Sequence, residues 1–497
     1  MKHRAMSSRF GPGVMIVALG LALGGCMVGP DYQRPDVAMP ERWSEPSRPA
    51  PSAATGSTPW WQDGGDAELG SLIERTLKNN LDLQVAEHRI REARSMVRID
   101  QSALWPTVNA SASAARGQQS ANAPGVSPFA QGGDFGTGNS LQNLFQAGFD
   151  ASWELDLFGG TRRSIEAARA DAQGVVFDRD AIALSLTAEV ARAYVDLRSA
   201  QAQLVTARQQ AATLRDTRDL VHARFVGGLA TDEELAAAEA PFHRAEAATS
   251  PWEDQCTQAI HRLGVLLGDA PASLVGELSA AQPLGTAPAV DDLGLPSDLL
   301  RRRPDVQRAE RQVAAATARI GVATADLYPR FSLGGTAGLA SFTSSNFFSS
   351  NSSIWALGPS MSWPIFRAGQ VKATIAVRDQ QAQEALLAYR QSILVAMEDV
   401  ENALAAYRHD QQRRAALAAT LAASGQAEQR AQSRFQGGLA DYRTVLGQQQ
   451  QRIQDQQELD LGTASLWRDW IALHKALGGS WAAATSAPST TPSRESP

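Results

Sequence analysis

The chain has 497 residues, 20% charged and 6% aromatic, with a formal net charge of −6. That composition excludes a disordered chain, and the acidic balance offers no basic surface for nucleic acid. Two cysteines exclude a disulfide framework.

The first stretch is a targeting segment. Lys2, Arg4 and Arg9 form a positive n-region ahead of a short apolar run from Val14 to Leu23. The run is too short for a permanent bilayer span. It ends in Leu23-Gly24-Gly25-Cys26, which resembles a bacterial lipobox. Residues 1–25 are then a signal peptide, and Cys26 is the acylated first residue of the mature chain. A multiply acylated cysteine is a firm membrane anchor. No cofactor beyond that covalent lipid is expected. Met27 follows, where an aspartate would resemble an inner-membrane retention signal, so the outer membrane is favoured. Residues 26–60 are rich in Pro, Ser and Ala and predict an extended strap.

Two repeats follow, at 61–280 and 281–480, with a disordered tail at 481–497. A helical pattern from Glu68 to Ala103, interrupted near Asn79-Asn80, ends at Trp105-Pro106. Its counterpart from Ser297 to Asp326 ends at Tyr328-Pro329. An aromatic followed by proline stops a helix and starts a strand. Alternating apolar and polar residues then predict strands at about 107–116, 146–157, 330–340 and 354–365. In the second, Ala147, Phe149, Ala151 and Trp153 share one face, and Asp150, Glu154 and Asp156 share the other. About ten residues is the length of a tilted transmembrane strand. A half-buried soluble sheet alternates identically. The targeting segment, with Trp105, Trp153, Trp355 and Trp363 near strand ends, favours a membrane barrel. Four strands cannot close one, because about eight is the smallest single-chain barrel. Open edges in lipid leave backbone groups unsatisfied, so other copies must complete it. Two copies give eight strands and three give twelve, and spacing does not choose.

Each strand pair returns into a very long helix. Thr161 to Val226 and its counterpart Gln370 to Gln436 are each roughly 100 Å at 1.5 Å per residue. The first carries a coiled-coil seam of Val190, Leu197, Leu204 and Ala211, with Ala193, Ala200, Ala207 and Leu214 between. The second, with Asp410 and Arg414 on that seam, is less regular. Both end in the same turn: RFVGGLA at Arg224 to Ala230, and RFQGGLA at Arg434 to Ala440. The Gly-Gly pair predicts a left-handed helix stop, and Thr231 with Glu234 predicts a capping box on the helix that follows. One copy would be only a C-cap, but two copies about 210 residues apart mark an internal duplication. Tips therefore lie at 224–231 and 434–441. Pro241 and Pro251 predict a kink or break in the first returning helix, and Gln451 and Leu461 a smoother second one. Cys256 is expected to pack as a small apolar side chain.

Two further stretches carry a family resemblance. CMVGPDYQRP, beginning at Cys26, and LPSDLLRRRPDVQRAE, from Leu295 to Glu310, resemble the TolC-like outer-membrane factor family of tripartite RND-type efflux pumps. With the two turns, the resemblance spans essentially the whole mature chain. It implies a mixed α and β membrane protein: a trimeric 12-stranded transmembrane β-barrel, four strands per chain, continued by a long periplasmic α-helical barrel. It implies a homotrimer in outer-membrane lipid, a periplasmic adaptor (membrane fusion protein) and an inner-membrane RND-type transporter as partners. By the same resemblance Arg224, Gly227, Gly228, Leu229 and Ala230, with Arg434, Gly437, Gly438, Leu439 and Ala440, meet the adaptor. Many members place a constricting aspartate nine residues after the second tip's last glycine. Gly447 stands there in this chain, and Asp441 is the nearest substitute for a gate.

The residues offer no catalytic constellation. The histidines lack HxxxH spacing, and there is no CxxC, GxSxG or Walker-type phosphate loop. The chain is not read as an enzyme and no metal is expected. Asp150, Glu154 and Asp156 would make an acidic lumen, either for plain wetting or for a bias toward cations. The function that follows is an outer-membrane exit duct of a tripartite efflux system, passively passing drugs or other small toxic compounds. A duct for a secreted protein or oligosaccharide, or a non-conducting periplasmic stalk, are the alternatives.

Overall fold

The computed structural model describes residues 27–44, 59–118, 141–289, 296–298 and 302–479. The signal peptide, Cys26, the tail from 481 and part of the strap lie outside the described residues. The first repeat runs α1 (Trp60–Asp63), α2 (Ala67–Asn79), α3 (Leu81–Ser102), β1 (Thr107–Gln118), β2 (Leu141–Leu155), α4 (Gly160–Val226), α5 (Asp232–Ala247), α6 (Ser250–Leu266) and α7 (Val275–Leu278). The second runs α8 (Pro304–Ala325), β3 (Arg330–Ser341), β4 (Ser353–Ser362), α9 (Gln370–Gln436) and α10 (Tyr442–Ala476).

The chain divides into two units. The first holds residues to Pro35, Ile90–Gly174 and Glu310–Leu387. Its centre is one antiparallel sheet in the order β1-β2-β3-β4. Thr107 stands opposite Ser152 in the first hairpin, and Arg330 opposite Ser362 in the second. The two hairpins therefore share a register, residue for residue. The duplication extends to what fixes the strands: Trp153 donates its indole N–H to the Leu104 carbonyl at 2.9 Å, and Trp363 to Leu327 at 3.1 Å. Each hairpin is thus pinned to the end of the helix that feeds it.

The second unit holds Asp36–Arg89, Val175–Ala309 and the chain from Ala388. Its core gathers Trp60, Trp61, Leu69, Leu72, Ile73, Tyr194, Leu197, Leu263, Trp467 and Trp470. The seam residues Val190, Leu197, Ala200 and Ala207 are buried, as coiled-coil spacing requires. Here too the repeats match. Asn80, which caps α3 by accepting from Asp82 and Leu83, donates to the Leu266 carbonyl at 2.8 Å. Arg303, just before α8, donates to the Ala476 carbonyl at 3.1 Å. Each tie reaches the last residue of a returning helix.

The first returning helix breaks at Ala248-Thr249, while α10 is continuous over 35 residues. Pro251 begins α6, where its missing N–H was not needed, and Pro241 sits inside α5 without ending it. The two prolines therefore do different things.

His474 lies between Trp60, stacked at 5.6 Å, and Trp470 at 4.4 Å. Burial lowers its pKa from 6.5 to about 4. Between those values the unfolded chain binds a proton that the folded chain refuses, so His474 removes stability as the pH falls through this window. The ceiling is about 3 kcal/mol at one pKa unit per 1.36 kcal/mol. Asp469 works in the opposite sense: burial and then the Asp410 charge raise it to about 6, so its protonation favours the fold as pH falls. His474→Leu should therefore flatten the loss of stability between pH 6.5 and 4, as read by urea midpoints. An unchanged acid limb would remove His474 from the account.

Candidate functional site

Two sets of site residues were marked by the sequence, the structure adds a third, and each lies on a definite part of the fold. The first is the acidic face of β2. Asp150 stands opposite Asn109, which donates to its carboxylate at 3.0 Å, and Glu154 stands opposite Ser332. Both lie on the polar face of the sheet, with Ser111, Ser113 and Thr336. Asp156 does not. β2 ends at Leu155, and the Asp156 carboxylate accepts from the Thr161 and Arg162 backbones at 3.1 and 2.9 Å. It also pairs with the Arg162 guanidinium, leaving its side chain 12% exposed. An oxygen acceptor at the start of a helix satisfies N–H groups that have no partner within it. Asp156 is a helix cap, and the acidic face holds two carboxylates per chain.

The second set is the pair of hairpin tips. Leu229 donates to the Arg224 carbonyl and Leu439 to that of Arg434, both at 2.8 Å. Gly228 and Gly438 donate to Phe225 and Phe435, both at 2.9 Å. That is the two-bond Schellman closure, which requires a left-handed residue at its centre. Gly228 and Gly438 supply it with φ of 71° and 70°, so the second glycine of each pair makes the turn. The capping box is present at Thr231 and Glu234. At the other tip Asp441 caps α10 by accepting from Arg443 at 3.3 Å, so its carboxylate already serves a backbone group. Leu229 and Leu439 are 72% and 73% exposed, apolar side chains held out by fixed backbone. Arg443 also reaches Glu234 at 3.7 Å, joining the two tips within one chain. Such an exposed pair contributes at most about 1 kcal/mol.

The third set was missed as a site. The strap after Cys26 is fastened to the body. Val28 donates to the Phe158 carbonyl at 3.1 Å, and Gly29, at φ 89°, lies where a Cβ would meet Gly321 Cα at 2.4 Å. Arg163, 2% exposed, donates to the carbonyls of Val28 and Gly29 and to Asp31 at 2.6 Å, and its other arm meets Glu166 at 2.7 Å. Tyr32 donates to Glu310 and lies under the Arg311 guanidinium. PDYQRP and RRRPDVQRAE, separate in sequence, thus meet at one contact. In the second unit Trp43 is buried, and Ser44 binds both carboxylate oxygens of Glu401.

Among the described residues no group of three His, Cys, Asp or Glu side chains gathers for a metal. No described helix is long and apolar enough to cross a membrane.

The family model for outer membrane efflux proteins matches residues 72–269 and 295–479. The toluene efflux pump outer membrane protein TtgC of Pseudomonas putida is 31% identical over 466 residues, 92% of this chain and 93% of that one. The outer-membrane channel OprN is similar in structure, with TM-score 0.80 and 32% identity over 91% of this chain and 99% of that one. The open-state MtrE channel of Neisseria gonorrhoeae gives TM-score 0.77 and 28% identity, covering 92% and 98%.

Proposed function

The chain belongs to the outer membrane efflux protein family, and from that premise we propose that it is the outer-membrane exit duct of a tripartite efflux pump. Three copies contribute twelve strands to one transmembrane barrel, and their long helices α4 and α9 to a periplasmic α-helical barrel. One observation supports the reading above the others. The sheet has an apolar and a polar face, and among the described residues its outer strands β1 and β4 have no strand paired on their free side. Every residue of β4 is exposed. Such edges are untenable in lipid unless another copy covers them.

The anchor is a lipid on Cys26, and the hairpin tips meet a periplasmic adaptor that couples the duct to an inner-membrane RND-type transporter. The exposed Leu229 and Leu439 are the apolar contacts such a partner would cover. The chain carries no catalytic machinery in this reading, and small toxic compounds such as solvents or antibiotics pass by diffusion. The alternative of a non-conducting stalk leaves the polar face without a purpose.

Purified trimers in planar bilayers should give discrete ion conductance with some preference for cations, from Asp150 and Glu154 repeated around the lumen. The double variant Asp150→Asn, Glu154→Gln should conduct with its reversal potential in a salt gradient moved toward zero. Silent bilayers from intact trimers would sink the duct. An unmoved reversal potential would sink only the role of the two carboxylates.

A further inference from the structure

We infer that neighbouring copies join through one specific strand register, with Ser360 of β4 opposite Ser113 of the partner subunit's β1. The inference rests on the assembly proposed above and deepens it. Its source is the duplication. Both hairpins have one register, so every residue of β1 has a counterpart in β3, and residues 143–152 of β2 have counterparts in β4. Asn109 opposite Asp150 corresponds to Ser332 opposite Ser360; Ser113 opposite Gln146 corresponds to Thr336 opposite Ala356. Between the hairpins, β2 joins β3 with Asp150 opposite Thr336. This junction leads from the end of a first repeat to the start of a second. In a closed ring the passage from β4 to the next β1 leads from the end of a second repeat to the start of a first. Ring closure repeats the same step, so the junction seen within the chain is the template for the one between copies. Replacing Asp150 and Thr336 by their counterparts gives Ser360 and Ser113.

The transferred register keeps the polar face continuous from one copy to the next. Ser360 shares its hydroxyl hydrogen bond with Ser332 at 2.7 Å, which places it on the face that carries Glu154 and Asp150. Ser113 lies on the Asn109 side of β1, the same polar face. A slip of one residue would set Ser360 against Ala112 or Ala114 and turn every side chain of one strand to the wrong side. One difference from the template is steric. Gly148 and Gly338 face each other inside the chain, where a Cβ on either would meet backbone within 3.0 Å. Their counterparts are Gly358 and Ala115, so the junction between copies spreads to admit one methyl.

The helices that flank the strands follow the same rule with different chemistry. Inside the chain, Asp171 of α4 meets Arg319 of α8 at 2.5 Å. The counterparts are Gln381 of α9 and Met96 of α3, an uncharged pair, and Met96 is 53% exposed here. Ala167 and Val322 line one cavity inside the chain, while their counterparts Val377 and Ile99 stand exposed. An ionic junction within the chain thus corresponds to an apolar one between copies. The apolar version draws its association energy from buried apolar area.

The test uses paired cysteines in a Cys256→Ser background, oxidised in the membrane. Directly opposed Cβ atoms lie about 4.5–5.5 Å apart and diagonal ones about 7–8 Å, against the roughly 3.5–4.5 Å that a disulfide accepts. Ser113→Cys with Ser360→Cys should give interchain dimers and trimers on non-reducing gels. The yield should be several-fold above Ser111→Cys with Ser360→Cys, which lies on the same face two residues along. Equal or greater yield from the second pair would overturn the register. So would the absence of crosslinks from either pair in protein that native mass spectrometry shows to be trimeric. Monomers throughout from the parent chain would instead overturn the assembly itself. Met96→Cys with Gln381→Cys, away from the sheet, supplies a second crosslink if cysteines in the strands hinder barrel folding, and its failure in intact trimers would count equally against the template.

Discussion

Arg198→Leu will destabilise the second unit by roughly 3–5 kcal/mol, the cost of breaking a buried ion pair from one side. Arg198 is 1% exposed and central to a network that ties three segments together. It donates to Glu68, to Gln201 at 2.7 Å and to the Ala280 carbonyl at 2.9 Å, with its guanidinium over the Tyr194 ring. Tyr194 donates in turn to Asp66 at 2.7 Å, and Asp66 caps α2. Burial of the tyrosine, with the Asp66 carboxylate, holds its pKa well above the usual value, so the phenol stays a donor across the physiological range. Leucine in place of arginine leaves Glu68 facing a wall with no cation, and strands a carbonyl and an amide. Removing both charges, as Glu68→Leu with Arg198→Leu, should cost less than the single change, because the uncompensated charge is gone. Thermal unfolding followed through the near-ultraviolet signal of the core tryptophans would measure both. A single variant within about 1 kcal/mol of the parent would show that solvent already reaches this pair.

The network also marks what the residues alone could convey. Periodicity is a property of local sequence, so the four strands, the long helices and the two Gly-Gly turns were legible, and their recurrence revealed the duplication. The separate behaviour of Pro241 and Pro251 was half legible: both were breakers by type, but only Pro251 falls where a helix can begin. Asp156 was misplaced because alternation runs on through Asp156 and Leu157 after the hydrogen-bond ladder has ended. No pattern of apolar and polar residues distinguishes a lumen carboxylate from a helix cap. What separates them is the pair of N–H groups at Thr161 and Arg162, known only once the helix start is placed.

Contacts between distant segments were the least legible. Arg163 and Arg198 sit in helices where charged residues are usually solvated, and nothing near them in sequence says that they are buried. The strap offers composition without period, which predicts an extended segment and none of its contacts. Its glycine was the usable signal. Gly29 adopts a left-handed conformation against Gly321, a close approach of two backbones that a Cβ on Gly29 would block.

Arg163→Ala should release that strap. Its guanidinium joins the carbonyls of Val28 and Gly29 to the Asp31 carboxylate, and four acceptors lose this donor at once. Asp31 is 85% exposed on its side chain and Glu166 39%, so both carboxylates recover water, and the loss of about 1–3 kcal/mol comes from the carbonyls left without this donor. Lysine cannot replace the fork, because one ammonium cannot address carbonyls and carboxylate in a single plane; Arg163→Lys should fall between alanine and the parent. The expected readout is rapid protease cleavage within residues 27–44 in the alanine variant, with the sheet hairpins still protected. Parent-like protection and melting would mean that Tyr32, Trp43 and Ser44 hold the strap unaided. If the release is seen, the clamp has a use beyond stability. Residue 27 follows directly on the proposed acylated cysteine and packs against Gly159, just past the end of β2. Were the proposed lipid present, holding Met27 there would keep it near the sheet, so that acyl chains and strands could share one bilayer.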